Sequence, residues 1–89
     1  MNVLIYKTNY DDTYPEEVLK ASDLPQSRFA YSNVRDEDNE PCVRTNIESL
    51  ADLKELLGVL NAVPGTMFAK TVTFNDDFMI ICLYEEYWF

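Results

Sequence analysis

The chain has 89 residues, with sixteen Asp and Glu against seven Lys and Arg, a formal charge of −9, no histidine, two cysteines and two glycines. That length sits near the lower end at which one apolar core folds without disulfides or metal, so a single domain over residues 1–89 is expected. Twelve aromatic residues, six Tyr, five Phe and one Trp, argue against a disordered acidic tail and place the charge on a folded body.

Residues Asn2 to Thr8 are rich in β formers, with Val3 and Ile5 on one face and Leu4 and Tyr6 on the other. Apolar residues on both faces predict an inner strand. The segment from Asn9 to Gln26 is more polar. Thr13-x-x-Glu16, with Pro15 in the first turn, has the form of a capping box and predicts a short helix from about Pro15 to Ala21, stopped by Asp23-Leu24-Pro25.

Arg28 to Val34 and Cys42 to Ile47 read as an antiparallel pair joined by an exposed hairpin loop, Arg35-Asp-Glu-Asp-Asn-Glu-Pro41, whose four carboxylates exclude it from a core. Val43, Thr45 and Ile47 fall on one face of the second strand, with Cys42, Arg44 and Asn46 on the other. The strongest helix signal spans Leu50 to Ala62. Ser49 with Asp52 resembles a capping box, with Thr45-x-x-Glu48 as a rival start. Leu50, Leu53, Leu57 and Leu60 form one apolar stripe, widened by Leu56 and Val63, and Pro64-Gly65 ends the element. Gly58 inside it costs about 1 kcal/mol against alanine unless something packs closely there.

Thr66 to Phe74 then reads as a strand with Phe68, Val72 and Phe74 on one face, turning at Asn75-Asp76-Asp77 into Phe78-Met-Ile-Ile-Cys-Leu-Tyr. This last run carries no charge, Gly or Pro in its seven residues and predicts a strand buried on both faces, around which the sheet forms. The expected fold is α+β, in the order β-α-β-β-α-β-β, a mostly antiparallel sheet of about five strands with one main helix on one face.

Chemistry is limited by what is missing. Without histidine, imidazole-based triads are excluded and zinc needs an unusual ligand set. Asp36-x-Asp38-x-Glu40 has the rhythm of a calcium loop, but Pro41 replaces the required glycine and Ile47 stands where the last acidic ligand belongs. The pairs Asp11/Asp12, Asp76/Asp77 and Glu85/Glu86 are adjacent residues that diverge rather than converge as acid and base. No glycine-rich loop offers to cradle phosphate. Cys42 and Cys82 lie too far apart in sequence for a zinc or redox motif and read as reduced, buried thiols. No enzyme activity and no cofactor or metal are expected. The apolar run at the N-terminus, Val3 to Tyr6, is too short for a signal peptide or span, which makes the cytosol the default compartment.

The remaining signal is electrostatic. A charge of −9 repels nucleic acid and anionic membranes and speeds encounter with a basic protein. Asp36, Glu37, Asp38 and Glu40 are the first candidate contact surface. Glu48, Asp52 and Glu55, aligned along the helix at i, i+4 and i+7, are the second. Helix neighbours at i and i+4 are roughly 5–6 Å apart, near the spacing of successive phosphates, so such a surface can fill a groove that otherwise holds DNA or RNA. Tyr10, Tyr14, Tyr84, Tyr87 and Trp88 are candidate anchors, with Tyr87 and Trp88 in the acidic and aromatic C-terminal run. In size, charge and lack of catalytic residues the chain resembles the small acidic proteins with which phages and mobile elements block host nucleic-acid enzymes: anti-restriction proteins, anti-CRISPR proteins and other DNA mimics. That resemblance implies an inhibitor whose partner is a nucleic-acid-binding enzyme. Two other readings fit the same residues: an antitoxin or immunity-type neutraliser of a basic toxin, and an assembly domain that forms a homodimer through a sheet edge or through Tyr87-Trp88-Phe89.

Overall fold

The computed structural model describes residues 1–9, 18–62, 70–74 and 77–85. It is an α+β fold: strands β1 (Asn2–Asn9), β2 (Ser32–Arg35), β3 (Pro41–Asn46), β4 (Lys70–Phe74) and β5 (Phe78–Glu85) form one sheet, and the helix α1 (Leu50–Asn61) lies between β3 and β4 in sequence. The sheet order is β2-β3-β1-β5-β4. The pairs β2–β3, β3–β1 and β4–β5 are antiparallel, whereas the central pair, β1–β5, is parallel, running from Asn2 opposite Phe78 to Asn9 opposite Glu85. The sheet is therefore mixed, with its two most apolar strands side by side at its centre. β1 has the inner position expected of it.

Strand alternation builds the core. Val3 and Ile5 of β1, Val43 of β3, and Met79, Ile81 and Leu83 of β5 share one face and pack in one cluster with Leu56 and Leu60 of the helix. Leu19, Leu24 and Phe29, from the connection between β1 and β2, complete the cluster. Thr45 is the one polar residue buried among the described residues, and its hydroxyl donates to the Ala30 carbonyl at 2.9 Å. A buried hydroxyl so paired avoids the desolvation penalty of an unmet group.

Several expectations change. The C-terminal strand is not fully buried on both faces: Met79, Ile81 and Leu83 are buried, but Ile80 and Cys82 are half-buried, because the main helix and Leu19, Leu24 and Phe29 pack on one face. The helix expected from Pro15 to Ala21 is not present over Val18 to Lys20, where Lys20 is extended (φ −115°, ψ 153°); positions 15–17 lie outside the described residues. A single 3-10 turn at Ala21–Asp23 takes its place. The Asp23 carboxylate accepts from the Lys20 amide at 2.9 Å, and this local bond favours a tight turn over a continuing helix. Arg28 to Tyr31 are not strand either: Phe29 leaves the sheet to enter the core, and β2 starts only at Ser32.

The helix starts where Ser49 predicts, and Thr45 lies in β3 instead of starting it. Ser49 Oγ accepts from the Asp52 amide at 3.2 Å, while Asp52 Oδ2 reaches back to the Glu48 amide at 2.8 Å. The apolar stripe is rotated from its expected centre: Leu56 and Leu60 are fully buried, Leu53 and Leu57 lie half-buried beside them, and Leu50 is exposed. In β4, Thr66 to Ala69 lie outside the described residues, as do Val63 to Gly65 and the turn residues Asn75 and Asp76. Among the described residues no helix is long and apolar enough to cross a membrane.

Candidate acidic contact surface

The β2–β3 turn is built around one carboxylate. The Asp36 amide donates to the Glu40 carbonyl at 2.9 Å and the Asn39 amide to the Asp36 carbonyl at 3.0 Å, closing a three-residue loop with Asn39 in the left-handed region (φ 63°). Asn39 occupies the place where such loops call for glycine, and asparagine is among the few residues that tolerate it. The Asp36 side chain then ties the loop: Oδ1 accepts from the Asp38 amide at 2.9 Å and the Glu40 amide at 2.8 Å, and Oδ2 accepts from the Tyr6 hydroxyl at 2.6 Å. From outside the loop, Arg35 Nη1 donates to the Asn39 carbonyl at 2.9 Å.

These bonds change what Asp36 is for. The Tyr6 hydrogen bond, followed by the amides of Glu40 and Asp38, holds its carboxyl below the usual value. Three of its roughly four lone-pair sites accept hydrogen bonds from within the protein. Glu37, Asp38 and Glu40 are instead exposed, and their carboxylates have no cationic partner among the described residues. The first cluster read from the sequence thus divides into one residue that shapes the turn and three that it displays.

The second cluster divides differently. Arg28 forms ion pairs with Asp52 Oδ1 and with Glu55 Oε2, the latter at 2.6 Å, while its guanidinium lies over the Phe29 ring, 4.4 Å from the centroid. Asp52 also holds the Glu48 amide, the main cause of its lowered pKa, with Arg28 adding to it. A single guanidinium is therefore shared by two of the three acids and offsets one of their two charges. Glu48 remains exposed without a cationic partner among the described residues. The alignment expected along the helix holds for Asp52 and Glu55 only, because Glu48 precedes the Ser49 cap, and sequence spacing does not show that Arg28, more than twenty positions away, folds onto these two.

Tyr6 lies on the sheet face opposite the helix. Its hydroxyl pKa is raised well above the usual phenol value, by burial first and by Asp36 next, and Cys42 lies against it. Cys42 is buried and Cys82 half-buried, and both are free thiols. Cys82 pairs with Tyr6 on one side of β1 and Cys42 follows on the other, in β3. Two strand spacings, roughly 10 Å, separate them, beyond the roughly 7 Å that a disulfide bridges. Among the described residues no three His, Cys, Asp or Glu side chains gather as a metal site. Tyr87 and Trp88 lie outside the described residues. No family model, no curated protein and no solved structure matches this chain.

Proposed function

We propose that this chain is an acidic binding protein that inhibits a nucleic-acid-processing enzyme by occupying its basic nucleic-acid site, as phage-type anti-restriction and anti-CRISPR mimics do. The observation that carries the reading is the β2–β3 turn, where Asp36 fixes the backbone while Glu37, Asp38 and Glu40 are exposed with no cationic partner among the described residues. Three negative charges on a turn that is already ordered lose little conformational entropy on meeting a cationic groove. An acidic coat serving only solubility has no need of a carboxylate spent on ordering its neighbours. The excess negative charge of the whole chain adds long-range attraction to the same kind of partner.

The reading is tested by capturing partners from cell lysate on the immobilised protein at low salt and eluting with a salt gradient. Recovery of a nucleic-acid enzyme that DNA or RNA displaces supports the proposal. The variant carrying Glu37→Lys, Asp38→Lys and Glu40→Lys must then lose that enzyme, since each contact is charge-dependent and screened by salt. Retention of the same enzyme by the triple variant, with an unchanged elution point, rejects the turn as the contact surface.

A further inference from the structure

At the opposite end of β3 from the acidic turn lies an open apolar pocket of about 210 Å³, lined by Met1, Ile47, Leu50, Leu53, Phe74 and Met79, with Glu48 and Ser49 on its rim. It forms because Phe74 sits on the edge strand β4, paired with Met79 on the helix face, and neither the helix nor the described connection covers it. Ile47 and Met79 are buried beneath. Around them stand Leu50 (83% exposed), Phe74 (65%) and Met1 (56%), three of the four large apolar residues most exposed among the described residues. Isolated exposed apolar residues need no explanation, whereas three converging on one concavity mark a place where something docks. A dry cavity of about 150 Å³ holds a benzene ring, so this space takes one leucine- or phenylalanine-sized side chain.

Charge selects the occupant. Glu48, on the rim, is exposed and has no cationic partner among the described residues, and the exposed Asp77 lies two positions before Met79 at the same end of the sheet. The Met1 ammonium, beside the pocket, donates to Asn46 Oδ1 at 3.1 Å and to the Ile47 carbonyl at 2.7 Å, so the Glu48 and Asp77 carboxylates outnumber the one positive charge of the lining residues. A second copy of the chain would bring another net charge of −9 and another Glu48 to the same rim. A cationic segment meets attraction there.

We propose that the pocket binds a single leucine-, methionine- or phenylalanine-sized side chain presented by a lysine- or arginine-flanked segment of a basic partner protein. The proposal rests on the partner being basic, as in the function proposed above, and adds a second contact point. β3 places the pocket roughly 20 Å from the acidic turn, a distance one ordinary protein interface spans. An apolar side chain in a pocket supplies the anchor that charge alone lacks, since rim charges set encounter and buried side chains set lifetime.

The test uses methyl-labelled protein and three blocked peptides: one leucine between pairs of lysines, the same with alanine for leucine, and the same with glutamate for lysine. The leucine peptide is expected to shift the Ile47, Leu50, Leu53 and Met79 methyl signals saturably. The alanine peptide should bind about tenfold more weakly, the scale of burying a leucine side chain, and the glutamate peptide should not bind. Leu50→Ser and Phe74→Ser, both at exposed positions that leave the core intact, should each weaken the leucine peptide severalfold. Equal binding of the leucine and alanine peptides, equal binding of the glutamate peptide, or no shift at these methyls up to millimolar peptide each overturns the proposal. Concentration-dependent shifts of the same methyls without peptide, together with dimer formation, overturn it in favour of a second copy. The Glu37, Asp38 and Glu40 charge reversal does not touch the pocket. Loss of lysate partners in that variant therefore speaks to the acidic turn, and the peptide titration speaks to the pocket.

Discussion

The hydroxyl of Tyr6 in β1 donates a 2.6 Å hydrogen bond to Asp36 Oδ2, thirty positions along the chain in the β2–β3 turn. β3 lies between β1 and β2 in the sheet, so this bond crosses a strand to fasten the turn onto the sheet face opposite the helix. It couples the order of the acidic loop to the central strand. The same bond is the first cause of the depressed Asp36 pKa and, after burial, the second cause of the raised Tyr6 pKa.

A pH dependence follows. Asp36 ionises more readily in the folded protein than near its ordinary value of 3.8, so its contribution to stability is complete above that pH and is lost as pH falls through the lower folded-state value. Tyr6→Phe removes the donor and should cost about 1 kcal/mol at neutral pH, the scale of a partly exposed bond to a charged acceptor. Urea unfolding of both proteins from neutral pH down to about pH 3 checks this. The gap should narrow below about pH 4. A gap that stays constant across the range assigns the loss to packing.

The turn conformation gives the second prediction. Asn39 holds φ at 63°, a region where a β-branched side chain meets its own backbone. Asn39→Val should destabilise by about 1–2 kcal/mol, and Asn39→Gly should be neutral or slightly stabilising. Denaturant midpoints at matched slope measure both. Equal losses for valine and glycine mean that the asparagine side chain, not its backbone angle, matters here.

What the sequence reveals and what it hides follow from range. The loop from Arg35 to Pro41, the Ser49 cap and the alternation of Val43, Thr45 and Ile47 are signals within a few residues, and all three are present in the fold. The parallel pairing of β1 with β5 depends on residues more than seventy positions apart, where hydrophobic pattern names a central strand but not its direction. The inner contacts of the acidic residues are hidden for the same reason. Asp52 and Glu55 look free in sequence because Arg28 arrives from another segment, and Asp36 looks like one exposed acid among four because Tyr6 is thirty residues away. Leu50 shows another limit: helical spacing puts it in the stripe, but as the first residue of the helix it lines the open pocket at the end of the sheet.

That rotation of the apolar stripe has a measurable consequence. Leu56 is fully buried against the sheet while Leu50 is 83% exposed, although both lie on the same helix. Leu56→Ala should cost about 2–5 kcal/mol through lost burial and the cavity left behind, and Leu50→Ala less than about 0.5 kcal/mol. Thermal or urea unfolding distinguishes them. A large loss at Leu50 would mean that the pocket residues serve the core of the isolated chain and are not free to receive a partner.

Gly58 supplies the last prediction, because sequence and structure bear on it in different ways. A glycine inside a helix is less favourable than alanine by about 1 kcal/mol, and sequence alone leaves open whether a close neighbour forbids a side chain there. In the fold a Cβ built at Gly58 meets nothing within 4 Å, and the residue is exposed between the half-buried Leu57 and Val59. The backbone there is ordinary helix, so alanine brings no strain. Gly58→Ala should therefore stabilise the protein by about 0.5–1 kcal/mol, chiefly by reducing the freedom of the unfolded chain. The same substitution tests whether this helix face meets a partner. If Gly58→Ala stabilises the isolated protein but weakens capture of its binding partner, a surface approaches the helix more closely than a methyl group permits. If capture is unchanged, the contacts lie elsewhere, at the acidic turn and the apolar pocket.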